Sequence, residues 1–300
     1  GTIFAGAVHD FFSGTLSIRH GGESLPEIVG RYLGLKTKKV VGVFTLILMV
    51  LVAAVFVSGP AELIAGMTPD WMNAYFWIVV IFLYYILATL LPVDKIIGKI
   101  YPLFAAALLF MAGGILVMLY VKSPDLPEMW NGFGTKYESN PIFPMMFISI
   151  ACGAISGFHA TQSPLLPRCI SNEKHCRPIF YGAMVAEGIL ALIWAAAAGT
   201  MFADPATGLY GIDGLQAFAA AHPGENIAAL VVDKVSRSWL GTIGGILAII
   251  GVIAAPITSG DTALRSARLI VADFMHLNQR PIRNRLMIAI PLFLCVFGMV

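Results

Sequence analysis

The 300-residue chain is 58% hydrophobic and 12% charged, with a net charge of +2 and a mean hydropathy of +0.82. A soluble domain carries about twice that charged fraction, so the composition excludes an ordinary water-soluble globular protein. The cysteines Cys152, Cys169, Cys176 and Cys295 are scattered, mostly in or beside apolar runs, and suggest no disulfide framework.

A bilayer core takes about 20 apolar residues per helix. Taken in chain order, the apolar runs are Thr2–Ile18, Val40–Gly59, Tyr75–Leu91, Tyr101–Val121, Ile142–Gly157, Phe180–Met201, Leu240–Ile257 and Leu286–Val300. They predict spans over 1–18 (partial), 40–59, 75–91, 101–121, 142–160 (broken), 180–201, 240–268 and 286–300 (partial). Both termini fall in apolar sequence, so the chain reads as a fragment of a longer protein. No linker divides it, and the expectation is one all-α integral membrane domain, a polytopic helical bundle.

The first run carries His9-Asp10 among Ile3, Phe4, Ala5, Val8, Phe11 and Phe12. A charge at membrane depth costs about 2.5–3.5 kcal/mol on insertion scales, so such a pair needs a reason. It could relay a proton or ligate a cation; it could equally be a buried hydrogen-bonded pair locking two helices together. Between this run and the next, Ser24-Leu25-Pro26-Glu27 has capping-box spacing and predicts a short interfacial helix over about Leu25–Leu33.

The second polar interruption is the string Cys152–Pro164, which follows the apolar run Ile142–Ala151. Gly153, Gly157, Ser163-Pro164 and the polar residues Ser156, His159, Thr161 and Gln162 predict a helix that breaks within the bilayer. Unwound backbone is tolerated there only where protein buries it or a wet cavity is lined by it. Broken helices form substrate sites in many secondary transporters. Close packing through the Gly153/Gly157 GxxxG pattern is the alternative, and it leaves His159, Thr161, Gln162 and Ser163 unexplained.

Glu187 lies mid-run in Phe180–Met201, either as a proton carrier or as a structural hydrogen-bonding group. The long connection Ala203–Trp239 is punctuated by Asp204-Pro205 and His222-Pro223-Gly224, and predicts one or two short helices. The third interruption is Ala255–Arg268, where Pro256 and Gly260 should loosen the helix beside Thr258, Ser259, Asp261 and Thr262. Those oxygens suit a Na⁺ or proton site. Asp261 and Arg265, spaced i,i+4, could instead pair with each other, and Arg265 and Arg268 could simply anchor the helix end.

The loop charges give a direction. Arg19, Arg31, Lys36, Lys38 and Lys39 occupy the first connection, Lys95 and Lys99 the third, Arg168, Lys174 and Arg177 the fifth, and Arg265, Arg268, Arg280, Arg283 and Arg285 the seventh. Only Lys122, Lys136, Lys234 and Arg237 lie in the alternate connections. The positive-inside rule makes the odd connections cytoplasmic and puts residue 1 on the outer side. No H-E-x-x-H, P-loop or dinucleotide glycine pattern occurs, and C-x6-C around His175 lacks zinc spacing, so no catalytic residue, metal, organic cofactor or nucleic-acid partner is expected.

The same strings resemble the carbon starvation protein A family. They are Gly6–Asp10, Ser156–Pro164, Phe180–Met184, Glu187-Gly188, Ala191–Ala195, Pro256–Thr262 and Arg265–Arg268, spread over almost the whole chain. The likeness is closest to the shorter members, and further helices at both ends have no counterpart here. Membership implies a bacterial inner-membrane transporter, tied to nutrient starvation, for peptides or pyruvate. It also implies kinship with the amino acid–polyamine–organocation superfamily and its 5+5 inverted-repeat core.

On that plan Ser156, Gly157, His159, Thr161, Gln162 and Ser163 meet substrate. Thr258, Ser259, Asp261 and Thr262 hold a coupling Na⁺ or H⁺, and His9, Asp10 and Glu187 are proton-relay candidates. The expectation is a multi-pass secondary transporter whose partners are its small-molecule substrate and the lipid bilayer, with the oligomeric state open. A membrane nutrient sensor and an intramembrane enzyme are the rival classes.

Overall fold

The structure, a computed structural model, describes residues 1–90, 94–122, 166–202, 212–223, 227–275, 277–279 and 281–300, with single positions at 124, 126, 143, 144, 146, 147, 150 and 159. Every regular element among them is helical. A π-helical turn, Thr2–Gly6, leads into α1 (Ala7–Arg19), followed by α2 (Leu25–Leu33), α3 (Leu35–Ala65), α4 (Ala74–Leu90) and α5 (Asp94–Lys122). A second π-helical turn, Arg177–Tyr181, enters α6 (Gly182–Met201); then come α7 (Ile212–Ala221), α8 (Ile227–Phe274) and α9 (Ile282–Phe297).

The all-helical expectation therefore holds among the described residues. Leu35–Ala65, Pro102–Lys122 and Glu173–Met201 are long and apolar enough to cross a membrane, and Ala74–Thr89 is a shorter apolar helix. Burial points to the same surroundings. The buried stripe of α1 is Ala7, Asp10, Ser13, Gly14 and Ser17, whereas Phe4, Val8 and Phe12 are exposed. Water would drive the opposite arrangement; lipid favours apolar groups outside and polar groups turned inward.

The chain forms two compact units, residues 1–98, 150–186 and 255–300 in one, and 99–149 and 187–254 in the other. In the first, α3, α4, α9 and the latter part of α8 share a core of Met49, Val57, Ile81, Phe82, Tyr85, Leu264, Ala267, Phe293 and Val296. Small residues let the helices close: Gly42 faces the Phe274 ring and Gly14 faces the Phe180 ring, where a Cβ would come within 2.2 and 2.5 Å. In the second unit, Met111, Ile115, Ile193, Ala197, Phe202, Val231, Val235 and Trp239 form the core.

Two local expectations change. Helix α2 has the predicted bounds, and Pro26 sits in its first turn, but the capping box is not made. Ser24 stands at the N-cap without a side-chain bond, and Glu27 pairs with Lys38 of α3 instead. A full ionic partner is stronger than a reach back to one backbone N–H. Helix α8 runs through Pro256 and Gly260 without a non-helical residue. Its irregular residue is Gly241, at φ +69°, a conformation that favours glycine. The connection expected over Ala203–Trp239 does hold short helices among the described residues: α7, and the stretch of α8 from Ile227 up to the break at Gly241.

Candidate functional site

Helix α1 supplies the first group. Its stripe of small and polar residues packs against the turns at Leu166–Cys169 and Arg177–Tyr181, with the Phe180 ring seated over Gly14. That contact turns Asp10 inward, where it is 7% exposed. His9 Nδ1 lies 2.8 Å from Asp10 Oδ1, a hydrogen bond between neighbours in sequence.

The other carboxylate oxygen faces a residue from far along the chain. His159 Nδ1 is 3.8 Å from Asp10 Oδ2, and both side chains are largely buried. Asp10 thus stands between two imidazoles, one bonded and one about 0.6 Å beyond ordinary hydrogen-bond reach. A buried carboxylate is costly unless a partner carries compensating charge, and a protonated imidazole supplies it. The first two polar interruptions meet at this point, which no spacing in the sequence indicates. Ser156, Gly157, Thr161, Gln162 and Ser163 lie outside the described residues.

The third interruption is placed by α8 in the same unit. Asp261 is buried, and Arg265 Nη2 donates to its Oδ2 at 2.9 Å, so the i,i+4 ion pair is formed. Thr258 donates to the carbonyl of Ala255 at 2.9 Å and Thr262 to that of Thr258 at 3.0 Å, while Ser259 is half-buried. These hydroxyl protons are committed to the helix, and their lone pairs remain. Glu187 belongs to the second unit, where it is exposed on α6.

Tyr85 was not visible as a site residue in the sequence. Its ring is fully buried, and its hydroxyl donates to the carbonyl of Ile257 at 3.0 Å. A Cβ on Gly260 would lie 2.2 Å from the Tyr85 oxygen, so the glycine makes room for this bond. Its hydroxyl is one of several in that apolar run, with Tyr75, Tyr84 and Thr89, so the sequence does not single it out. Among the described residues, no cluster of three or more His, Cys, Asp or Glu side chains suits a metal ion.

The sequence profile described as carbon starvation protein CstA matches residues 1–70 and 61–212. The chain belongs to this family. It is 42% identical over 245 residues to an uncharacterized membrane protein of Haemophilus influenzae, covering 65% of this chain and 66% of that protein. It is 31% identical over 259 residues to the peptide transporter CstA of Campylobacter jejuni, covering 64% of this chain and 36% of the relative. Over 109 residues it is 37% identical to the pyruvate/proton symporter BtsT of Escherichia coli K12, covering 36% of this chain and 13% of the symporter. The chain thus spans less than two thirds of the length of each of these relatives.

Proposed function

We propose that this CstA-family chain is part of a secondary active transporter of the bacterial inner membrane, taking up peptides or pyruvate under carbon starvation by proton-coupled alternating access. The observation that carries this is the Asp10 carboxylate held between His9 and His159. Relatives named as a peptide transporter and a pyruvate/proton symporter support the solute class and the ion.

The physical logic is a differential charge cost. With one imidazole protonated, Asp10 sits in a locally neutral cluster; when that proton leaves, a buried negative charge stands without full compensation. The cluster joins α1 to the segment around His159, so proton occupancy biases the position of one against the other. Closing the 3.8 Å gap to about 2.8 Å makes a second charge-assisted bond, and opening it releases one. Substrate held by the Ser156–Ser163 string, through Ser156, Gly157, His159, Thr161, Gln162 and Ser163, would then be linked to the proton through His159. The 5+5 inverted-repeat plan would place that string at the centre of the carrier.

Thr258, Ser259, Asp261 and Thr262 are the second coupling locus, and their oxygens would favour Na⁺. Arg265 already neutralises Asp261, which makes H⁺ at Asp10 the preferred ion. Glu187 is kept as a separate relay candidate on α6. The test is uptake of labelled pyruvate and of labelled dipeptides by the full-length protein in proteoliposomes, under an imposed pH gradient or an imposed Na⁺ gradient. Uptake of either solute driven by the pH gradient is expected. Absence of gradient-driven uptake for both solutes would remove the coupled-transport proposal.

A further inference from the structure

The five cations of the first connection divide into two groups. Arg31 is paired with Glu23, and Lys38 is folded over Gly30 and paired with Glu27. Arg19, Lys36 and Lys39 are exposed, and no ion pair to them is formed among the described residues. The chain has carboxylates nearby but directs them to Arg31 and Lys38.

Lys36 and Lys39 also have a definite place on the helix. Along α3 the exposed residues are Leu35, Lys36, Lys39, Val40, Val43, Phe44, Ile47, Leu51 and Val55, a continuous stripe at helical spacing. From Val40 onward the stripe is entirely apolar, and the helix is one of those long and apolar enough to cross a bilayer. It runs about 24 Å from Lys39 to Val55 at 1.5 Å per residue, most of the roughly 30 Å hydrocarbon thickness. A stripe that faces lipid tails along that length brings its two terminal lysines to the level of the headgroups.

The turn before α3 completes the surface. Gly34, at φ +88°, reverses the chain between α2 and α3, and Tyr32 and Leu33 on one side and Leu35 on the other are exposed at 60%, 67% and 73%. His20 Nε2 and Tyr32 Oη, 3.0 Å apart, tie this turn to the end of α1. Large apolar side chains interleaved with unpaired lysines at a span's end are the pattern of an interfacial anchor.

We propose that Lys36 and Lys39, with Tyr32, Leu33 and Leu35, form a binding site for the headgroup and upper acyl chains of an anionic phospholipid. The charges meet the lipid phosphate, and the apolar side chains enter the leaflet beside it. This site is independent of the transport proposal.

The full-length protein in detergent, mixed with equal amounts of phosphatidylglycerol and phosphatidylcholine, is analysed by native mass spectrometry for bound lipid. Phosphatidylglycerol is expected to be preferred, and Lys36→Gln with Lys39→Gln should reduce that preference on the order of tenfold. Each single substitution should give an intermediate loss, and Lys36→Arg with Lys39→Arg should keep the preference. An unchanged preference in the Gln variants, or its loss in the Arg variant, would overturn the proposal. Stripping of the preference by inorganic phosphate would also overturn it, by showing a simple anion site.

Discussion

The carboxylate of Asp10 and the imidazole of His159 face each other at 3.8 Å although they are far apart in the sequence. This relationship turns two separate polar interruptions into one cluster. Asp10→Asn keeps the shape of the side chain and removes its charge. In proteoliposomes, uptake driven by a pH gradient is expected to fall at least about tenfold, a coupling loss of ordinary size. Exchange of labelled for unlabelled substrate, which needs no net proton movement, should persist. Equal loss of both activities would instead assign Asp10 to substrate binding or to folding.

The two histidines should separate in their effects. His9 is already bonded to Asp10 at 2.8 Å, whereas His159 stands where a small movement makes or breaks contact. His159→Gln is expected to lower uptake driven by a pH gradient more than it lowers thermal stability. His9→Gln should act more on thermal stability than on uptake. Uptake under an imposed pH gradient, with melting curves in detergent, checks both outcomes.

Tyr85 and Gly260 make a pair that can be tested by a mutant cycle. Tyr85→Phe removes the bond to the Ile257 carbonyl and should cost about 1 kcal/mol. Gly260→Ala puts a methyl 2.2 Å from the Tyr85 oxygen and should cost roughly 1–3 kcal/mol through overpacking. The double variant is expected to be less destabilised than the sum, because removing the hydroxyl relieves the clash. Strict additivity in thermal unfolding would contradict the contact.

Arg265 and Asp261 give a fourth test. Arg265→Gln leaves a buried carboxylate that has lost its guanidinium. The expected cost is roughly 3 kcal/mol, the low end for a broken buried pair, since the guanidinium is partly exposed. Adding Asp261→Asn should recover part of the loss in unfolding measurements. If Asp261 also holds a coupling Na⁺, the double variant will lose stabilisation by Na⁺; with H⁺ at Asp10 as the coupling ion, Na⁺ should make no difference to either protein.

The helical character of the chain was legible because its signals are local. The apolar runs Val40–Gly59 and Tyr101–Val121 fall within helices α3 and α5, Tyr75–Leu91 and Phe180–Met201 coincide largely with α4 and α6, and the start of α2 follows from Ser24 and Pro26. Competition between local and tertiary partners was not legible. Glu27 has the spacing to close a capping box, yet Lys38 from the next helix takes it. Pro256 and Gly260 promised a loosened helix, but Gly260 serves to admit the Tyr85 hydroxyl and the backbone stays helical. His9, Asp10 and His159 were each recognisable as costly residues in apolar sequence. Their meeting depends on how α1 packs, through Gly14 and Phe180, and nothing in residue spacing encodes that contact.

The central claim is that a proton enters with the solute and is handled at Asp10. The most direct measurement encloses a pH-sensitive dye in proteoliposomes containing the full-length protein and adds pyruvate or a dipeptide outside, without Na⁺. The account predicts that solute acidifies the interior with wild-type protein and fails to do so with Asp10→Asn. Equal acidification by the variant, or wild-type uptake that acidifies nothing and requires Na⁺, would contradict it.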